Sequence, residues 1–311
     1  MTVATFVISN LNTADFTFES ITFEKLSFKI PIEAQWHDEH NATFKAVADD
    51  KLNVEPLIQN NGLIGVVDDL CLLLSLAQST IIYCREYCIN EATRLRNLIP
   101  VNKKVGTKLV KDNKIESYLS TAAQTLRKPK WAERSGFIPA AYYLLIGDSD
   151  EIGEVSFMLT WIALETLANA YTEKEGTSTV LHSNTFKKIV KPPIIEVLNQ
   201  LEKEEHLTPE QKELIINKLP ELNRPSIRYK ICKLRDAYGW DFITNRLLGE
   251  YIKLRDNLMH LGTHGGVELT RVQDLSVKLH LSMYLALIDS IGCSDYVSYL
   301  HSVKKQIKGN E

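Results

Sequence analysis

The hydrophobic pattern of this 311-residue chain changes period partway along, and that change restricts the possible folds more than any other feature. In the first 60 residues the apolar positions come in short β-branched and aromatic runs: Thr5-Phe6-Val7-Ile8, Phe16-Thr17-Phe18, Ile21-Thr22-Phe23 and Leu26-Ser27-Phe28-Lys29-Ile30. Such residues suit a pleated, half-buried surface. Phe44-Lys45-Ala46-Val47 adds a further candidate strand, while Asn10-Leu11-Asn12, Pro31 and Asn60-Asn61-Gly62 read as turns or breaks. From Gly136 onward the spacing becomes helical, as in the long segment carrying Leu269, Val272, Leu275, Leu279, Met283 and Leu287. A chain with strands first and helices afterwards folds as α+β, with the two kinds of element segregated. The expected organisation is an N-terminal β-rich module with a long helix over residues 1–135, then an all-α helical bundle over 136–311.

Within this frame, residues 64–90 are predicted to form one long helix. Asp68 and Asp69 favour its early turns, and Leu70, Leu73, Leu74 and Ala77 mark its buried stripe. A shorter helix is predicted at about 116–127. In the second half, helices are predicted over 137–146, closed by Gly147, and over 150–172, capped by Asp148-Ser149-Asp150. Others follow at 183–205, at 209–218 with Thr208 as cap and Pro209 in the first turn, at 225–238, at 241–261 beginning near Asp241, and at 266–291. The basic end, Lys304-Lys305-Gln306-Ile307-Lys308, is expected to fray.

Composition excludes several classes. No apolar run reaches the roughly 18 residues that span a bilayer, and MTVATFVISNLNTADF has no basic region ahead of its apolar residues, so neither a membrane span nor a secretory signal is expected. The five scattered cysteines (Cys71, Cys84, Cys88, Cys232, Cys293) give no disulfide or zinc pattern. The cytoplasm is the compartment that follows. His37 and His40 lack a third ligand, so no metal is expected, and glycine-rich phosphate loops and a nucleophile elbow are absent, so no cofactor is expected. The net charge of −3 argues against a general nucleic-acid coat. Between Arg94 and Lys130, however, ten basic residues face two acidic ones. Within that stretch Lys103, Lys104 and Lys108 are candidate contacts to RNA phosphates.

The chemistry concentrates in Arg255-Asp256-Asn257-Leu258-Met259-His260, followed by Leu261-Gly262. Arginine offers a permanent planar fork for phosphate oxygens. Histidine exchanges protons near neutral pH. Together they suffice to cleave a phosphodiester without a metal. On a regular helix, five residues set the two side chains about 140° apart, so they border one cleft only if the last turn loosens before Gly262. Asp256, four residues before His260, is placed to orient the imidazole or to hold Arg255. Asn257 is a weaker candidate for substrate contact. Glu165 sits on the apolar stripe of Met158, Trp161, Ile162 and Ala168, where a carboxylate needs a partner; Arg255 or Lys253 would serve. His264 lies in a glycine-rich loop just after the motif and is expected to be flexible and exposed, within reach of a substrate.

The Arg–Asp–x–x–x–His hexad in a helix, together with the upstream helix Trp161-Ile162-Ala163-Leu164-Glu165-Thr166-Leu167, resembles the R-x4–6-H motif of HEPN domains, in which a polar residue commonly follows the arginine. The likeness covers roughly residues 137–311; the N-terminal part bears only a loose likeness to the N-terminal regions of ApeA-like anti-phage HEPN proteins. The resemblance implies a metal-independent endoribonuclease that leaves 2′,3′-cyclic phosphate and 5′-OH ends, in phage defence or toxin-like RNA cleavage. It also implies a homodimer with a composite site, catalytic roles for Arg255, His260 and Asp256, and an N-terminal module that answers to a regulatory ligand or phage-derived trigger. The competing expectation is a HEPN fold without catalysis that dimerises or binds RNA or nucleotide alongside a partner.

Overall fold

In the computed structural model of the chain, residues 2–9, 20–25, 28–37, 41–48, 63–89, 92–95, 109–110, 112–127, 134–149, 153–298 and 300–308 are described. The candidate strand at Phe16–Phe18, the break at Asn60–Gly62 and the basic candidates Lys103, Lys104 and Lys108 lie outside them.

The strands are β1 (Thr2–Ser9), β2 (Ser20–Lys25), β3 (Phe28–Trp36), β4 (Asn41–Ala48), β5 (Tyr83–Ile89) and β6 (Ala92–Leu95), forming one antiparallel sheet in the order β2-β3-β4-β1-β5-β6. Alternation explains its two faces: Ala4, Phe6 and Ile8 on β1 and Ala42, Phe44 and Ala46 on β4 are fully buried, while Thr5, Val7 and Thr43 between them are only half-buried. Phe6 pairs with Phe44, which locks the register, since a one-residue slip would turn both rings to the other face. Pro31 is not a turn. It lies within β3 opposite Thr22, where pairing with β4 has not yet begun, so its missing N–H costs no bond on that side.

The predicted long helix is shorter than its pattern suggests. Helix α1 spans Leu63–Gln78 and the chain then turns into β5. Ser79 adopts a left-handed φ of 44°, and the Ser75 hydroxyl accepts the Ile82 amide at 2.8 Å, fastening the reversal. Tyr83–Ile89 satisfies both an i,i+4 and an alternating pattern, and the strand prevails because β1 supplies a neighbour to pair with. The pairing skips Arg85: Val7 faces Glu86 and Ile8 faces Cys84, so β5 bulges there. Cys84 and Cys88 therefore lie on a strand, not on a helix face.

Helix α2 (Ile115–Arg127) follows a 3-10 turn at Asp112–Lys114, close to its predicted place. Then come α3 (Arg134–Ser149) and α4 (Gly153–Lys174). Gly147 does not close a helix but lies inside α3, where a Cβ would sit 3.1 Å from the Ser156 carbonyl. At the other end of the pair, a Cβ on Gly136 would overlap that of Ala170 and lie 3.2 Å from the Thr166 carbonyl. Two glycines thus set the close approach of α3 to α4. Asp148, expected to cap the next helix, instead accepts the Tyr284 hydroxyl at 3.2 Å.

The remaining helices are α5 (Ser183–Thr185), which runs through a π turn at Phe186–Val190 into α6 (Lys191–Lys203), then α7 (Pro209–Lys218), α8 (Ile227–Tyr238), α9 (Asn245–Leu261), α10 (Leu269–Ser290) and α11 (Leu300–Lys308). Thr208 forms a full capping box with Gln211 on α7. The basic end does not fray within the described residues. Ile307 is buried, and Lys304 and Lys308 reach Asp241 at 3.2 and 2.8 Å. Asp241 precedes α9, whose cap is Thr244. Stacked Tyr238, Trp240 and Phe242 sit beneath this latch, with the Lys304 ammonium over Phe242.

One buried cluster runs from the sheet through α1–α4 to α8–α11. The Tyr118 hydroxyl of α2 donates to the Leu73 carbonyl of α1, and its burial pushes the phenol well above its usual pKa. The stretch from α5 through α7 and the 3-10 turn Leu219–Asn223 that follows stands apart as an arm: its buried apolar residues Phe186, Leu198 and Leu219 are not part of that cluster. The architecture is α+β and mostly helical, and no helix among the described residues is long and apolar enough to cross a membrane.

Candidate functional site

Helix α9 carries the hexad. The Leu247 amide donates to Thr244 Oγ1 to start it, and Gly262, at φ 65°, stops it. Leu247, Leu248, Tyr251 and Leu254 form the buried stripe. Arg255 flanks that stripe and turns toward α4. There its guanidinium lies 3.9 Å from Glu165 and 3.0 Å from its neighbour Asp256. The predicted partnership of Glu165 with Arg255 is thus present, and Asp256 holds the arginine, not the imidazole. Arg255 Nε is buried without a hydrogen bond. Two carboxylates against one guanidinium leave this corner slightly acidic. Both pairs are part-exposed and so contribute at most about 1 kcal/mol each.

His260 sits on the exposed final turn. The last turn does not loosen: α9 stays helical through Leu261, so the condition for one chain to bring the two side chains to a common cleft is not met. Within one chain, Arg255 and His260 therefore point about 140° apart. The same final turn exposes two large apolar side chains beside His260, Met259 at 57% and Leu261 at 63%.

The loop after α9 is more ordered than its glycines suggest. The Asn257 amide donates to the His264 carbonyl at 3.4 Å, and Val267 N–H returns to the same carbonyl at 3.2 Å. A Cβ on Gly265 would overlap the Asn257 side chain, and Gly265 has φ +62°, so only glycine fits there. Asn257 is thereby committed to the loop. His264 is half-buried, not exposed, and its Nδ1 is enclosed without a partner. On the far half of α9, Glu250 pairs with Arg271, which also pairs with Asp274, while Lys278 reaches Asp274 at 3.0 Å; this network fastens α9 to α10.

The other sequence candidates lie away from the hexad. His37 faces the Thr43 hydroxyl at 2.6 Å in the β3–β4 hairpin, and His40 lies outside the described residues. No group of three metal-binding side chains occurs among the described residues.

A second concave feature was not legible as a motif. A cleft of about 650 Å3 opens between Gly176–His182 and Arg224–Tyr229. Its walls are more than forty residues apart in sequence, which hides it from local patterns. The available signal was chemical: no acidic residue occurs from Gly176 to Ile195, a run that holds three lysines.

No family model matches the chain, and neither a characterised protein nor a solved structure matches it.

Proposed function

We propose that the chain is a metal-independent endoribonuclease of the HEPN type, acting as a homodimer. The observation that carries this reading is the division of the hexad. Arg255 is held toward α4 by Glu165 and flanked by its neighbour Asp256, while His260 is exposed on a final turn that also exposes Met259 and Leu261. A second copy docked on that apolar turn would bring two His260 side chains together. One would take the proton from the ribose 2′-OH and the other would protonate the departing 5′-oxygen. The guanidinium would bind the scissile phosphate and the charge that builds on the phosphorane. The attack of the 2′-oxygen on the adjacent phosphorus leaves a 2′,3′-cyclic phosphate and a 5′-OH, so no water or metal enters the step. By the same resemblance, the setting is phage defence or toxin-like RNA cleavage in the cytoplasm, with the sheet module answering a trigger or regulatory ligand.

One observation favours a second reading. Glu165 and Asp256 together neutralise Arg255, as they would in a purely structural ion pair. On that reading the chain dimerises or binds RNA or nucleotide with a partner and does no chemistry. Incubating the full chain with RNA in EDTA separates the two. Cleavage is expected to persist in chelator and to disappear in His260→Ala, with the melting temperature of that variant unchanged because the side chain is exposed. Full cleavage by a folded His260→Ala protein overturns the ribonuclease reading. Arg255→Lys keeps the charge but loses the fork, and should cut at a small fraction of the wild-type rate.

A further inference from the structure

We infer that the cleft between Gly176–His182 and Arg224–Tyr229 binds a nucleotide unit, with the phosphate at Arg224 and the base on Tyr229. The inference goes beyond the ribonuclease reading and does not depend on Arg255 or His260.

The cleft is built by one buried side chain. Asn223 is almost fully enclosed; its Oδ1 accepts the Leu181 amide at 2.7 Å and its Nδ2 donates to the Leu181 carbonyl at 2.9 Å. Its own carbonyl accepts the Val180 amide at 2.9 Å. Three hydrogen bonds thus fasten the two walls side by side before any ligand arrives, which lowers the ordering cost of binding.

The lining chooses the sign of the ligand. No aspartate or glutamate lines the cleft. Arg224 does, and its guanidinium makes no ion pair among the described residues. Glu221, the carboxylate nearest in sequence, faces Lys218 at 3.5 Å instead. His182 Nδ1 accepts the Asn184 amide at 3.3 Å, which in the neutral ring places the proton on Nε2 and leaves that nitrogen as a donor. The Ser226 hydroxyl accepts the Tyr229 amide, so its own hydrogen is free to turn to a ligand. Thr179 adds another hydroxyl. A wall rich in donors and free of carboxylates suits an anion, and a planar arginine fork suits phosphate.

Size and shape narrow the class. A cleft of about 650 Å3 is far larger than a bare phosphate needs, and falls within the roughly 300–1,000 Å3 usual for small organic ligands. Tyr229 lines it with a largely exposed ring, and the Lys233 ammonium, 5.6 Å from the ring centroid, already occupies one face. The other face is available for stacking a flat heterocycle. A phosphate joined to a planar ring is a nucleotide, either free or as one unit of an RNA strand.

The test is calorimetric titration of the full chain with AMP and UMP, with adenosine and inorganic phosphate as fragments. A nucleotide is expected to bind at least tenfold more tightly than either fragment. Arg224→Ala and Arg224→Gln should each lose about tenfold or more, and Tyr229→Ala several-fold, with Tyr229→Phe retaining most of the affinity. Both side chains are exposed, so the melting temperatures of all four variants should stay at the wild-type value. A short RNA oligomer supplies the second arm: displacement of the nucleotide by RNA assigns the site to a strand, and undisturbed nucleotide binding assigns it to a free ligand. Failure of both nucleotides to bind at millimolar concentration, or equal affinity in folded Arg224→Ala, overturns the inference. His260→Ala should bind nucleotide as wild type does, so this result and the cleavage result stand or fall separately.

Discussion

In the bundle, Trp161, Leu164, Leu279 and Met283 are enclosed on every side, whereas the arm leaves Ile189, Val197, Leu214 and Leu222 largely in water. Both regions are helical and both carry apolar stripes, yet they are held together differently. The bundle relies on area removed from water, spread over many side chains. The arm has only Phe186, Leu198 and Leu219 inside, and leans on polar fastenings: the Asn223 clamp and the 2.6 Å pair of Lys212 with Glu202. A packed core fails all at once, while a polar clasp opens locally. The α9 site rests on the first kind of support and the nucleotide cleft on the second, so the two should respond differently to the same insult.

The sharpest contrast comes from truncating one enclosed side chain in each region. Trp161→Ala should cost about 3–5 kcal/mol and lower the midpoint of chemical denaturation of the whole chain; its indole Nε1 makes no hydrogen bond, so the loss is one of packing. Leu198→Ala should leave that midpoint nearly unmoved. Equal losses in the two variants would show that the arm shares the bundle's cooperativity.

Next in size, Asn223→Ala removes two hydrogen bonds to Leu181 and strands that residue's backbone groups, at about 1–3 kcal/mol. Amide exchange at Leu181 should quicken by at least tenfold, with α4 and α10 unchanged. Protection lost throughout the bundle would erase the distinction.

The smallest effect tests whether a polar clasp in the bundle behaves like those in the arm. Hydrogen bonding from Lys308, then from Lys304, lowers the Asp241 pKa from its usual 3.8. A carboxyl depressed in the folded state contributes stability at pH values above its unfolded pKa and loses it as pH falls through the lower folded value. The group is mostly exposed, so the contribution is about 0.5 kcal/mol. Asp241→Asn should therefore be slightly less stable than wild type at pH 6, with the gap closing below about pH 4. A gap that does not shrink at all as the pH falls from 6 to 3 would mean that the latch depends on packing of α11 and not on charge.

The sequence foretold most in regions where a local rule and the tertiary environment agree. Thr208-Pro209 begins α7 and Gly262 ends α9 because each cap is satisfied within a few residues. It misled where distant partners decide. Nothing at Ser79 announces a positive φ, and β5 is a strand because β1, some eighty residues earlier, offers it an edge. Gly147 looks like a terminator and is a contact point, a role visible only once α4 lies against it. At the candidate site, the Glu165–Arg255 pairing could be anticipated because a lone carboxylate on an apolar stripe needs a cation. The commitment of Asn257 to the loop could not, since it depends on the backbone path at Gly265.

The position of β1 carries a consequence for the order in which the chain assembles. It is an interior strand, flanked by β4 and β5, although it is synthesised before both of them. The meander β2–β3–β4 can form as soon as residue 48 emerges, and β1 can join it, but the other side of β1 stays unpaired until residues 83–89 have been made. For the span of synthesis between those points, Phe6 and Ile8 belong to an open edge able to pair with a neighbouring nascent chain. Translation speed across residues 49–89 thus becomes a variable in the yield of folded protein.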